Sequence, residues 1–221
     1  MSCGASVMDA RLPPAERGGS IPTAPLCKSE WIVEVCKLEI AQAMVRKYHY
    51  AGRGSNTRVY TFGLRPYESW LDNEIVAVSW WLPPTKTAGA SVWPDDPQAV
   101  LALSRLVATP DAPTNSCSFL LRHSMRQIDR QRWPVLVTYA DEWQGHTGAI
   151  YKAAGWIADG TTKPEPTYIK DGVMKCRKAG NRTKTNPEML AAGYTLVGKF
   201  RRLRFVHVRT DLLARFMEAQ P

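Results

Sequence analysis

The sequence predicts an α/β fold: a mixed sheet centred on two neighbouring parallel strands, with helices on its faces. Three observations carry this. Residues 103–156 run strand, helix, strand, helix, and parallel neighbours need a crossover of that kind. Two apolar runs ahead of it, RVYTFGL (58–64) and EIVAVSWWL (74–82), read as an antiparallel meander. With 221 residues, 44% of them hydrophobic, the chain can bury a sizeable core.

Residues 1–28 are rich in Pro, Gly and Ser without an apolar period, the composition of a flexible tail, so one domain is expected from 29 to 221. The segment 31–38 fits strand or helix equally. Ile40, Met44, Val45 and Tyr48 then recur at helical spacing until Gly52 and Gly54 stop the helix. Pro83 and Pro84 end the second meander strand, and 84–98 reads as a loop carrying Trp93, which either stacks on bases or packs down on the domain. The central unit comes next. A strand runs through Val107, and a helix from Ser116 to Gln131 buries Leu121, Ser124, Met125 and Ile128. A second strand covers Val135–Tyr139, and a second helix covers Thr147–Ala154 and is closed by Gly155. Beyond it, a hairpin about Asp171-Gly172, a loop at 179–188, one or two strands within 194–209 and a helix at 211–217 complete the reading.

The net charge of +9 is uneven: from Lys163 to Arg209 twelve basic residues face three acidic ones. Lys175, Arg177, Lys178, Arg201, Arg202 and Arg204 suit a polyanion such as double-stranded DNA, or simply a solvated surface. Arg122, Arg126 and Arg130 recur every four residues as a second basic stripe. No run of eighteen apolar residues marks a membrane span, and no basic region followed by an apolar one marks an export signal. Five cysteines without C-x-x-C spacing read as free thiols of a reducing cytoplasm.

Candidate site residues lie where strands and helices end. Asp141 follows a strand at the rim where open α/β sheets place ligands, and it also fits a helix cap. His49 and Tyr50 follow the first helix, as surface residues or facing a cleft. Arg105, in a buried strand pattern, needs an anionic partner, structural or substrate. His146 fits a cap, a phosphate contact or a metal ligand. Asn115 or Ser116 caps a helix whose N-terminus attracts anions, with Ser118 and Ser124 near it.

The segment ending IYKAAGW, with Tyr151 four residues before Gly155, resembles the closing half of the GNAT acyltransferase core, which implies a GNAT-like splayed sheet and a tyrosine acting as general acid. More specifically, KYHYAG, YTFGL, LSRLV, NSCSFLL and YADEWQGHTGAIYKAAGW resemble the Mom-like DNA modification proteins over most of residues 30–178. That resemblance implies conversion of adenine in phage DNA to N6-carbamoylmethyladenine in the host cytoplasm, protecting it from restriction. It implies a catalytic group of His49, Tyr50, Arg105, Asp141 and Tyr151. Asp141 would hold the adenine amine, Tyr151 would orient or protonate, and His49 would serve as base or metal ligand. TPDAPTNSCS stands where acyl-CoA users of the GNAT class carry a glycine-rich phosphate loop. The donor, a small molecule or a carrier, is therefore open between acetyl-CoA and a glycine-derived group; a bound iron and a homodimer are open too.

Overall fold

Strand β1 (Trp31–Val35) and helix α1 (Leu38–Tyr48) divide the segment that fits strand or helix equally in sequence. The structure, a computed structural model, describes residues 24–69, 74–171, 173–175, 177–179 and 182–218, so most of the expected N-terminal tail lies outside the described residues. Two compact units emerge among the described residues: one runs up to Lys163 and resumes at Arg201, and the other spans Pro164–Phe200. The change falls at nearly the residue where the basic segment begins.

In the larger unit α1 is followed by β2 (Tyr60–Pro66), β3 (Ala77–Leu82), α2 (Lys86–Val92), β4 (Val100–Ala108), α3 (Ser116–Gln127), β5 (Val135–Asp141), α4 (Ala149–Ala153) and β6 (Ile157–Thr161). The smaller unit holds β7 (Glu165–Lys170), β8 (Val173–Lys175), β9 (Lys178–Ala179), β10 (Arg182–Thr183), α5 (Asn186–Ala191) and β11 (Thr195–Phe200). The chain returns to the larger unit with β12 (Arg202–Val208) and α6 (Leu213–Glu218). The large sheet has the order β1-β2-β3-β4-β5-β12-β6. Its α/β class, its meander and its one parallel pair are those expected. In the smaller unit β11, β7 and β8 form one sheet and β9 pairs with β10. The expected hairpin there is β7–β8, turning at Asp171 with φ 53°; Gly172 lies outside the described residues.

Both faces of the large sheet are covered, so its central strands read as unbroken apolar runs rather than alternating ones. Trp80 and Trp81, adjacent on β3 and both fully buried, point to opposite sides. Trp81 joins Leu101, Leu120, Leu121, Leu136, Trp156 and Phe205 in the core under α3 and α4, while Trp80 packs with Ala41, Met44 and Val45 of α1. A third cluster sets Trp93 and Phe216 against Val100, Val137 and Val206. Truncating either buried tryptophan to Ala costs about 3–5 kcal/mol.

Beyond Ala102 and Val137 the parallel strands part. Only Val100–Val135, Leu101–Leu136 and Ala102–Val137 are paired, although β4 continues to Ala108 and β5 to Asp141. On its other side β4 bulges against β3: Leu103 faces Trp81 and Arg105 faces Trp80, leaving Ser104 as the extra residue. The bulge re-aims the side chains of the remaining strand. Without it Arg105 would share Leu103's face in the core; with it, Leu106 takes that face and Arg105 turns toward the α1 side.

Three expectations need correction. The loop at 84–98 contains α2, because Thr85, just past the proline pair, accepts a hydrogen bond from Ala88 N–H and caps a helix. Trp93 is 5% exposed and stacks on Phe216 at 5.6 Å, so it packs on the domain and is not free to stack on bases. The loop at 179–188 ends in α5, started by a capping box of Thr185 and Glu188. The helix expected to reach Gln131 stops at Gln127, where Ile128 turns extended (φ −73°, ψ 132°). That removes Arg130 from the stripe.

Candidate functional site

The end of α1 builds one wall of the site. His49 leaves the helix with an extended backbone (φ −96°, ψ 134°), and Gly52, at φ 59°, closes a turn by donating its N–H to the His49 carbonyl at 2.8 Å. Inside that turn Ala51 N–H donates to His49 Nδ1 at 3.0 Å, fixing the ring. Tyr50 stacks on His49 with centroids 4.4 Å apart and meets His146 edge-on at 5.8 Å. His146 thus joins His49 in one aromatic cluster. The helix end, the β5–α4 connection and Tyr50 between them form one aromatic cluster.

Arg105 comes to this wall from β4, its Nε donating to the Arg53 carbonyl at 3.1 Å and its Nη1 to the Ser104 carbonyl at 2.6 Å. Carbonyl oxygens hold it in place of a structural ion pair, which leaves the substrate contact of the two alternatives. Asp141 closes the opposite side at the end of β5. It is 8% exposed, accepts from Trp143 N–H at 3.1 Å, and stands opposite Arg202 in the β5–β12 ladder. It therefore does cap a helical turn, and it does so at the rim of the cleft.

Electrostatics tie these groups together. Burial lowers the His49 imidazole to about 4, helped by the Arg105 and His146 charges, so the ring is neutral at physiological pH. Burial raises the Tyr50 hydroxyl to about 12, and the Asp141 carboxylate and Tyr151 add to the rise against Arg105 and Arg202. Arg105 is lowered by burial and by its like neighbours Arg53 and Arg202. His49, Tyr50, Arg105 and Asp141 thus share one site with Arg202 and His146.

Tyr151 reaches the site from the other face of the sheet. It sits on α4 against Trp156 (6.0 Å) and Phe205 (5.4 Å). Its hydroxyl hydrogen-bonds Thr138, and burial raises its pKa, with Cys117 adding to the rise. Thr138 in turn donates to the Leu103 carbonyl at 3.4 Å, across the point where β4 and β5 part. Gly148, at φ 76°, makes the approach of α4 possible: a Cβ there would run into the Phe205 ring.

On this face lies a cavity of about 360 Å³, bounded by Ala108, Cys117, Ala149, Ile150 and Ala153 and by the first turn of α3. Asn115 enters that helix left-handed (φ 73°) and makes no side-chain cap bond. Asn115, Ser116 and Ser118 all line the cavity, though the Ser116 and Ser118 hydroxyls donate to the Pro113 and Asn115 carbonyls. Ser124 does not reach it. Fully buried two turns along α3, it meets the Ser79 hydroxyl at 2.8 Å and donates to the Leu120 carbonyl. Cys117, read in sequence only as one of five free thiols, does line the cavity, its thiol pushed by burial up to about 11.

The expected DNA contacts are dispersed. Arg122 and Arg126 are exposed on α3. Arg130, beyond the helix end, bonds the Pro134 and His207 carbonyls at the opposite end of β5 from Asp141, and burial and Arg209 lower it to about 10. Arg204 is ion-paired to Asp159 at 2.7 Å, so its charge is already neutralised. Arg201 and Arg202 are exposed at the start of β12. Arg177 donates to Asn186 in the smaller unit, and the side chains of Lys175 and Lys178 lie outside the described residues. Among the described residues no group of three His, Cys, Asp or Glu side chains is placed to hold a metal ion, and no helix is long and apolar enough to cross a membrane.

The model of the Mom protein family matches residues 30–210. A search of curated proteins returns no match. Similar solved structures include the ribosomal-protein-S18-alanine N-acetyltransferase from Escherichia coli (11% identity, 80% of this chain and 93% of that one, TM-score 0.47). An N-acetyltransferase from Staphylococcus aureus Mu50 (10%, 80% and 98%, 0.47) and the IAA acetyltransferase from Bacillus cereus ATCC 14579 (11%, 80% and 99%, 0.45) are also similar.

Proposed function

The chain belongs to the Mom protein family, and from that membership we propose that it is a transferase acting on the N6 amine of adenine in double-stranded DNA. The product would be N6-carbamoylmethyladenine and the biological outcome protection of phage DNA from host restriction. The observation that carries the reading is the parting of β4 and β5. Tyr151, bonded to Thr138 at that gap, interacts electrostatically with Cys117 of the cavity at α3 and with Tyr50 of the α1 wall, across from which Asp141 stands at the rim.

This layout supports the following chemistry. An adenine amine is a weak nucleophile, so it must be held against an activated carbon and relieved of a proton as it attacks. Asp141, at the rim, accepts an N6 hydrogen. The N6–C bond forms as the bond from the donor carbonyl to its sulfur or oxygen breaks, and Tyr151 gives its proton to the leaving atom. Burial keeps the Tyr151 hydroxyl protonated until then. The base must leave the duplex stack to reach this depth, and Arg122, Arg126, Arg201 and Arg202, exposed on the larger unit, are available to contact phosphate.

The cavity fits the acyl end of a donor, with the α3 first turn holding an anionic group and α4 the apolar arm. Acetyl transfer alone leaves an N6-acetyl amide, which lacks the nitrogen of a carbamoylmethyl group. A glycyl donor balances. Acyl transfer gives N6–C(=O)–CH2–NH2, and attack of that amine on C6 with release of the amide nitrogen leaves C6–NH–CH2–C(=O)–NH2, with no oxidant.

Acetylation of a protein or small amine is the second reading, favoured by the same cavity. Mass analysis of nucleosides from cells expressing the protein separates them. An adenine adduct supports the first. Unmodified DNA with an acetylated product supports the second, and salt-sensitive DNA binding without any product reduces the protein to a binding module.

A further inference from the structure

His49 is placed so that one of its two nitrogens is already taken. Ala51 N–H points at Nδ1 from 3.0 Å within a turn closed by the bond from Gly52 N–H to the His49 carbonyl. A backbone N–H can only donate, so Nδ1 is an acceptor and carries no hydrogen. In a neutral imidazole the hydrogen then resides on Nε2. The surroundings hold the ring neutral: Arg105 comes from β4 and His146 from the β5–α4 connection, Tyr50 covers one face, and burial adds to their effect. Moving the hydrogen to Nδ1 would set two N–H groups against each other. A general base needs a free lone pair and a metal ligand needs the same, and in this geometry Nε2 has neither to give.

The neighbouring groups extend the pattern. The Tyr50 hydroxyl, pushed up to about 12, stays protonated, and Arg105 can only donate. Arg202 and Arg53, which also act on this site, are donors as well. Asp141 is the carboxylate among them. One wall therefore gives hydrogen bonds and one rim group takes them. A ligand matching this must present an acceptor atom beside an N–H, which is what adenine offers at its amine and the ring nitrogen next to it, N1 on one edge and N7 on the other.

We propose that His49 selects the acceptor base as a neutral donor, its Nε2–H given to the adenine ring nitrogen adjacent to the amine while Asp141 takes an N6 hydrogen. This rests on the proposed adenine reaction. It replaces the roles of base and metal ligand for His49 and assigns proton acceptance to Asp141. Guanine is disfavoured because it places a carbonyl where Asp141 sits and an N–H at N1.

The test uses the full chain and DNA oligonucleotides carrying adenine, 7-deazaadenine or 1-deazaadenine at the target position, with 15N NMR of the histidine rings in parallel. Losing one hydrogen bond in the site is worth about tenfold in rate. The wild type should modify one of the two analogues about tenfold more slowly than adenine. That gap should vanish in His49→Ala and persist in His49→Gln, which keeps an amide N–H. The neutral ring should show its hydrogen on Nε2 from pH 5 to 8. Equal rates on all three bases, or a hydrogen on Nδ1, overturn the proposal. Adenine DNA left unmodified while the Nε2–H state is present overturns the adenine reading itself, and the base contact falls with it.

Discussion

The Thr138 hydroxyl spans the gap between the parting strands, bonding the Leu103 carbonyl at 3.4 Å and pairing with the Tyr151 hydroxyl. It ties the group expected to protonate the leaving atom to the place where the sheet opens. Thr138→Val keeps the shape and removes the hydroxyl. The folded protein should lose about 0.5–1.5 kcal/mol, measurable by urea denaturation. Its kcat should fall by about tenfold or more as Tyr151 loses its anchor, while Tyr151→Phe falls further.

Gly148 and Gly145 make a matched pair. Both have positive φ, 76° and 70°, but a Cβ at 148 meets the Phe205 ring whereas nothing lies within 4 Å at 145. Gly145→Ala should cost only about 1 kcal/mol of backbone strain. Gly148→Ala should cost about 3 kcal/mol or more by adding overpacking, and should displace Tyr151, lowering kcat as well as Tm.

Much of this is legible in the sequence, for a physical reason. The β4–α3–β5–α4 unit is local, its periods are set by which face is buried, and Asp141 and Tyr151 sit at predictable ends of it. What the sequence hides depends on distant partners. Lys86–Val92 is a helix despite an internal glycine because Gly89 packs closely on Pro97. Ser124 reads as a polar donor contact, yet Ser79, forty-five residues away, satisfies it in the core. The Thr185 and Glu188 capping box is a visible sequence signal for α5, against the expectation of a loop. His146, Arg53 and Cys117 join the site or its cavity only through tertiary folding.

Ser124→Ala is therefore expected to act on stability alone. It leaves the Ser79 hydroxyl, which also accepts from Trp81 Nε1 at 3.1 Å, short of one partner, at a cost of about 1 kcal/mol. Thermal unfolding should register this, with the KM for the donor unchanged.

The burial of His49 predicts an acid-sensitive fold. The ring titrates at its ordinary 6.5 in the unfolded chain and at about 4 when folded. Between those values the unfolded chain binds a proton that the folded protein refuses, so stability rises with pH from 4 to 6.5 and its contribution is complete above that. The gain is on the order of 1–3 kcal/mol. Denaturation midpoints across this window should climb in the wild type and flatten in His49→Gln.

The glycyl route makes an isotopic prediction. With 15N-glycine supplied to expressing cells, the heavy nitrogen should end on C6 of the modified adenine, and the original amine should become the unlabelled amide. Label confined to the amide contradicts the rearrangement.

The most direct measurement reconstitutes the reaction with purified protein, adenine-containing duplex and a glycyl thioester or ester, and quantifies modified nucleosides by mass spectrometry. The account predicts an adenine adduct with the wild type, reduced at least about a hundredfold in Asp141→Asn and in Tyr151→Phe, with DNA affinity retained in both. Unmodified adenine, or full activity in either variant, would contradict a site formed where β4 and β5 part.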